Sequence, residues 1–240
     1  MIPKIIHYVW LGGKPLSLLG QKCLESWKNH LPGWDIRRWD ESNSPMRHPF
    51  VEKMAREGKP AFASDFIRLH ALAEHGGLYL DTDMELERNV EPLLKKPCVL
   101  AFLSAQNRPN KNSAALGFLA SVPGHPWILD LRELYRDLRK AVMNTTLATE
   151  SLKKRGLDAL RNESPNREFW ELGDIRIYHS DFFYPEPGKT PVHPSRAIHH
   201  AEGSWAGQAA PLSPWRRFLD LRLDRRILRP IEKALKAVRP

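Results

Sequence analysis

Solid apolar runs alternate with spaced apolar stripes along the chain, the pattern of strands covered on both faces by amphipathic helices. Ile2 to Leu11 is a compact apolar run that stops at Gly12-Gly13, which predicts a buried strand followed by a turn. Ser17 to His30 places Leu19, Cys23, Leu24 and Trp27 on one side of a helix, and Leu31-Pro32-Gly33 ends it. Trp34 to Trp39 reads as a second strand and Phe50 to Glu57 as a second helix. Gly58-Lys59-Pro60 then leads to a third helix, capped by Ser64 and stopped by Gly76-Gly77 in the left-handed conformation. The strand after it ends in Asp81-Thr82-Asp83.

Further along, Pro97 to Ser104 predicts another strand and Gln106 to Ser113 a polar loop placed to contact sugar. Pro126 suits the first turn of a helix reaching about Met143, and Ser151 to Arg161 predicts one more. Asp174 to His179, Asp181 to Tyr184 and Ala197 to His200 are short strands between proline-rich turns. Alternating strands and helices imply an open α/β sheet, which binds ligands beyond the carboxyl ends of its strands.

Composition narrows the class. The chain has 240 residues, 42% hydrophobic and 27% charged, as expected of one globular α/β domain. Cys23 and Cys98 lie far apart without metal-type spacing, so they read as reduced thiols and imply the cytoplasm. The longest apolar run, Cys98 to Leu103, is too short to span a bilayer, and residues 1–11 lack a signal-peptide pattern. The formal charge of +9 is concentrated at the end: residues 213–240 hold nine Lys/Arg against three acids, a net of +6. The remainder is only mildly basic, so no nucleic-acid partner is expected.

The candidate chemistry sits at the third strand. Strand parity puts Asp81 and Asp83 on one face, where two adjacent carboxylates repel unless a hard divalent cation, Mn²⁺ or Mg²⁺, lies between them. Asp65 and Arg68 stand at i and i+3 on the preceding helix, near its start, within reach of the same polyphosphate. His7, three residues before Trp10 and on the opposite strand face, is expected to be a buried, hydrogen-bonded histidine.

Three blocks in order resemble a known family: Ile2-Pro3-Lys4-Ile5-Ile6-His7-Tyr8-Val9-Trp10, then Phe62 to Arg68 with Gly76 to Asp83, then His199-His200-Ala201-Glu202-Gly203-Ser204-Trp205. Over roughly residues 1–206 the chain resembles the Asp-x-Asp glycosyltransferases of the capsular-polysaccharide and mannosyltransferase type, relatives of the glucosylating domain of large clostridial toxins. That resemblance implies a single GT-A-type, Rossmann-like domain (1–206) with a mixed, mostly parallel sheet, followed by basic helices (213–240). It implies a nucleoside-diphosphate sugar as donor, with UDP ahead of GDP, and a glycan or lipid-linked acceptor in surface polysaccharide synthesis, with retention of configuration.

By the same resemblance, Asp83 binds the metal, and Asp81 contacts it together with the donor's ribose or sugar. Asp65 takes sugar hydroxyls, Arg68 pairs with the sugar or diphosphate, and Trp10 stacks on the base. One imidazole of His199 or His200 is a third metal ligand, with family spacing favouring His199; neighbouring strand residues point oppositely, so only one of them binds. Ser204 and Trp205 form a lid over the donor. Where relatives carry a Gly-Pro acceptor segment this chain has Asn144 to Thr149, a departure at the acceptor pocket.

Two rival readings are weaker. A catalytically silent sugar-nucleotide-binding module would not need the full set Asp65, Arg68, Asp81 and Asp83. A haloacid-dehalogenase-type phosphatase needs Thr or Val where Glu85 stands, and a later acidic pair. In the tail, Trp215, Leu219, Leu223 and Ile227 recur at i+4 among arginines. This segment reads either as an interfacial helix docking on an anionic membrane surface, making the protein peripheral to the cytoplasmic face, or as a helix packed on protein.

Overall fold

The computed structural model describes residues 1–103, 113–162, 167–186 and 188–202. Ser204, Trp205, most of the expected Gln106–Ser113 loop and the whole basic tail lie outside the described residues. A seven-stranded sheet has the order β2-β1-β3-β6-β5-β8-β7. Its strands are β1 (Ile5–Val9), β2 (Asp35–Trp39), β3 (Gly77–Leu80), β5 (Cys98–Phe102), β6 (Ala114–Ser121), β7 (Phe169–Leu172) and β8 (Ile175–Tyr178). β1, β2, β3, β5 and β8 run one way and β6 and β7 the other, a mixed sheet with one dominant direction. A separate antiparallel pair joins β4 (Met84–Leu86) to β9 (Ala197–His199).

Alternate residues of the central strands feed two cores. Leu78, Leu80, Ala115 and Phe118 pack with Cys23 and Trp27 of α1 (Leu18–His30) on one face. Tyr79, Leu116 and Leu119 pack with α2 (Pro49–Arg56), α3 (Pro60–His75), α4 (Pro126–Leu134) and α5 (Asn144–Lys154) on the other. The division has period two in β3, as strand geometry requires, and breaks in β6 between Leu116 and Phe118, where the register with β5 shifts. None of the helices among the described residues is long and apolar enough to cross a membrane.

Several boundaries differ from the sequence expectation. β6 was read neither as strand nor as helix, because all eight residues of Ala-Ala-Leu-Gly-Phe-Leu-Ala-Ser are buried and leave no alternation to detect. α3 begins at Pro60, not at Ser64, whose hydroxyl instead donates to the Ala61 carbonyl at 2.7 Å. Asp65 and Arg68 therefore sit in the body of the helix, away from its N-terminal amides. α4 stops at Leu134 because Tyr135 turns inward against Phe50 and Phe66, its ring 5.0 and 5.9 Å from theirs.

α5 begins at Asn144, seven residues before the expected start, and Gly156 at φ 103° ends it. Residues 157–162 are a separate 3₁₀ turn. Asp181 to Tyr184 is not a strand: the His179 ring caps a 3₁₀ turn, Ser180–Phe182, by accepting from the Asp181 amide. Gly76 closes α3 at φ 62° and ψ −164°, a positive-φ conformation other than the left-handed helical one expected. A Cβ there would stand 2.6 Å from Pro123, so the turn demands glycine twice over.

β1 brings His7 into the space between α3 and β2, fully buried. The ring accepts from the Trp39 indole N–H at Nδ1 (3.0 Å) and donates from Nε2 to the Gly76 carbonyl (2.8 Å), which ties two strands to the end of α3. Burial pushes its pKa from 6.5 down to about 4. The unfolded chain thus takes up a proton below 6.5 that the folded chain refuses, so His7's contribution to stability falls as pH drops through this window. His7→Ala should cost about 2–4 kcal/mol at pH 8, from the cavity and two stranded polar groups. Urea unfolding should show that difference shrinking toward pH 5; a difference independent of pH would contradict the neutral, buried assignment.

Candidate active site

β1 feeds β2 on one side and the chain then crosses to β3 on the other, so the carboxyl ends of β1 and β3 flank a topological switch point. Asp81 to Asp83 lie there. β3 ends at Leu80, and the Met84 amide closes a turn onto the Asp81 carbonyl (2.9 Å). The two carboxylates consequently converge through a turn; strand parity, as read from the sequence, is not what aligns them. β9 pairs with β4, placing Met84 opposite His199 and delivering the imidazole beside them.

Oxygens of Asp81 and Asp83 and a nitrogen of His199 all lie within 4.8 Å of one another. His199 Nε2 is 3.2 Å from Asp83 Oδ1 and 3.8 Å from Asp81 Oδ2. Each carboxylate has its other oxygen claimed by protein. Asp81 Oδ1 accepts from the Tyr79 hydroxyl (3.0 Å) and faces Arg68 Nη2 (3.4 Å); Asp83 Oδ2 accepts from the Glu202 amide (2.7 Å). The free donor set is two carboxylate oxygens and one imidazole nitrogen at the spacing of ligands around one ion, where bonds of about 2.1 Å put ligand atoms roughly 3 to 4 Å apart. The residues present therefore fit Mn²⁺ or Mg²⁺.

The electrostatics match. Burial disfavours the Asp83 carboxylate, yet the His199 ring and the amide hydrogen bonds more than offset it and hold the pKa near 2. Burial lowers His199, but Asp83 and Asp81 reverse that and raise it. The two carboxylates thus bias the imidazole toward its protonated form, and a cation held by the ring would compete with that proton.

Behind this triad, Arg68 is buried on four contacts. It donates from Nη1 to the Leu116 carbonyl (2.9 Å), pairs through Nη2 with Asp65 Oδ1 (2.7 Å) and with Asp81, and lies 4.5 Å over the Tyr79 ring. Burial opposes its charge, but Asp81, Tyr79 and Asp65 raise its pKa. Burial pushes Asp65 up to about 6 against the pull of Arg68 and Asn144, so it remains ionised at neutral pH. Asn144 donates from Nδ2 to Asp65 Oδ1 at 2.5 Å. The sequence departure at residues 144–149 is the first turns of α5, and it supplies a residue of the site.

Trp10 stands just past β1, its indole N–H on the Lys14 carbonyl (2.6 Å). It packs on the core that contains Leu80 and Met84, with one side open. His200 is directed elsewhere: its Nε2 meets Glu85 at 2.8 Å, and Glu85 is paired with Lys22. Its side chain is only 3% exposed, so it does not belong with Asp81 and Asp83. Tyr79, Gly117 and Tyr184 around Asp81, and Asn144 against Asp65, were missed as site residues by sequence reading. Tyr79 was inside the quoted motif, and its position two before Asp81 on one strand face was the available signal.

Comparison with known proteins agrees with this geometry. Residues 19–100 match the family described as "Glycosyltransferase sugar-binding region containing DXD motif". Over this third of the chain the sequence is similar to the DXD glycosyltransferases. A mannosyl phosphorylinositol ceramide synthase of Saccharomyces cerevisiae is 29% identical over 154 residues, covering 58% of this chain and 37% of that protein. A glycosyltransferase of Acanthamoeba polyphaga mimivirus, described as uncharacterized, is 31% identical over 138 residues, 52% of each chain. The chain thus spans between about a third and a half of the length of these relatives. The solved PaToxG glycosyltransferase shares the fold, with a TM-score of 0.52 at 19% identity over 68% of this chain and 72% of that one.

The two neighbouring histidines should separate cleanly. His199→Ala should weaken Mn²⁺ binding by at least about tenfold, because a ligand is lost. His200→Ala should leave it near the parent value and lower stability through the lost Glu85 contact, with Lys22 as that carboxylate's remaining partner. Electron paramagnetic resonance of free Mn²⁺ measures both; equal losses in the two variants would contradict the ligand set.

Proposed function

We propose that this protein is a metal-dependent glycosyltransferase that moves a sugar from a nucleoside-diphosphate donor to a glycan or lipid-linked acceptor. The supporting observation is the convergence of Asp81, Asp83 and His199 at the carboxyl end of β3, backed by the buried Asp65–Arg68 pair. A divalent cation held by the three would neutralise the charge that builds on the diphosphate as the glycosidic bond breaks. Arg68 adds a fixed positive charge on the same side, and because its guanidinium is already desolvated and held, it needs no reorganisation during the reaction. Asp65, held by Arg68 and Asn144, is oriented to accept hydrogen bonds from sugar hydroxyls. Trp10, beside the switch point, offers its ring to the base.

Because two relatives are named mannosyl phosphorylinositol ceramide synthases, the proposal takes in GDP-mannose beside the UDP-sugars expected from sequence. The reading extends to retention of configuration, to a lid of Ser204 and Trp205, and to docking of the basic 213–240 segment on an anionic membrane face, all proposed from sequence alone.

Hydrolysis of UDP-glucose, UDP-galactose and GDP-mannose in the presence of Mn²⁺ tests it. One donor should release its sugar with unchanged anomeric configuration, read by proton NMR. EDTA should stop release, and Asp83→Ala should lower it by at least about 100-fold. Release unaffected by EDTA would refute metal dependence; nucleotide binding without any turnover would favour the silent-module reading.

A further inference from the structure

Strand β6 touches Arg68, Asp81 and Tyr184 through three consecutive residues. The Leu116 carbonyl accepts from Arg68, the Gly117 carbonyl accepts from the Asp81 amide (2.9 Å), and the Phe118 amide donates to the Tyr184 hydroxyl (2.7 Å). Tyr184 in turn lies edge-on to His199, with ring centres 5.5 Å apart. Gly117 is the middle residue, and its α-carbon faces the carboxylate. A Cβ built there would stand 2.5 Å from Asp81 Oδ2, 3.3 Å from Asp81 Cγ and 3.3 Å from the Tyr184 hydroxyl. No positive φ demands glycine at this position, although the strand is irregular here, its register with β5 shifting between Ala120 and Ala115. An interior strand glycine, which weakens a strand, has its role in the close approach of another group.

We infer that Gly117 is a positioning residue that fixes which oxygen of Asp81 faces the cation. Tyr79 and Arg68 hold Oδ1 from one side, and the missing side chain of Gly117 leaves the pocket that Oδ2 occupies on the other. Alanine would fit only if the carboxylate turned, because the clashing atom is the tip of a side chain and can move. That turn would break the Tyr79 and Arg68 contacts and shift Oδ2 away from Asp83 and His199. The fold would suffer little and the ligand set much. The cation part of this inference rests on the proposed metal site; the steric coupling between Gly117 and Asp81 does not.

A double-mutant cycle in the full-length chain separates the two. Gly117→Ala should weaken Mn²⁺ binding by at least about tenfold, the size of losses seen when groups supporting a ligand are changed. It should also lower the melting temperature without metal, and most of that loss should disappear in the Asp81→Ala background, where only the 3.3 Å approach to the Tyr184 hydroxyl remains. Should Gly117→Ala alone not fold while the double variant does, the coupling is supported. An equal melting-temperature loss in both backgrounds, or failure of both to fold, would overturn it. Unchanged Mn²⁺ affinity in Gly117→Ala would overturn the positioning role. Unchanged affinity in Asp81→Ala would instead refute the metal site, leaving the melting-temperature cycle to decide the coupling.

Discussion

Removing a guanidinium from water costs several kcal/mol unless its charge and its N–H groups find partners, and breaking such a pair costs more than forming it gains. Arg68 meets most of that demand with a carboxylate on its own helix, a carboxylate on the neighbouring strand end, a main-chain carbonyl and an aromatic face, while its Nε–H has no partner among the described residues. These partners come from α3, the end of β3 and β6, so the buried cation fixes the helix against two strands that are already hydrogen-bonded to each other. The same contacts orient Asp81, because its Oδ1 is drawn to Arg68 and Tyr79 and only Oδ2 is left toward His199. Stability and site geometry are here one arrangement.

The second half of the site arrives from the far end of the described chain. β9 brings His199 opposite Met84, and the next residues fasten it: the His200 amide donates to the Asp83 carbonyl, the His200 ring meets Glu85, and the Glu202 amide reaches Asp83. The Ser17 hydroxyl at the start of α1 donates to the Glu202 carboxylate, so the segment is also tied to the opening of the chain. A cation between Asp81, Asp83 and His199 would bridge residues more than a hundred positions apart. Metal binding and the docking of this segment are therefore coupled by construction.

The legible parts were those whose signal is local. The pairing of Asp81 with Asp83, the i,i+3 pair of Asp65 and Arg68, and the buried His7 follow from short-range pattern, though a turn and not strand parity aligns the first pair, and His199 and His200 diverge at the end of β9. What the sequence hid depends on pairing at long range. β6, buried on both faces, has no alternation, and with it went Gly117 and the Leu116 carbonyl. Asn144 was noticed only as a departure, since nothing local shows that the first turn of α5 lies against Asp65. Ser64 looked like a cap because it precedes Asp65, but Pro60 is a stronger start signal and moved the helix by a full turn.

The central claim is that Arg68 and Tyr79 hold one oxygen of Asp81 so that the other completes a metal site with Asp83 and His199. Anomalous diffraction from crystals of the protein with Mn²⁺ and a nucleoside diphosphate tests it most directly. The account predicts one ion ligated by Asp81 Oδ2, Asp83 Oδ1 and His199 Nε2, with Asp81 Oδ1 still on Tyr79 and Arg68. An ion bound without His199, or an Asp81 that has released Tyr79 and Arg68 to bind it, would contradict the account.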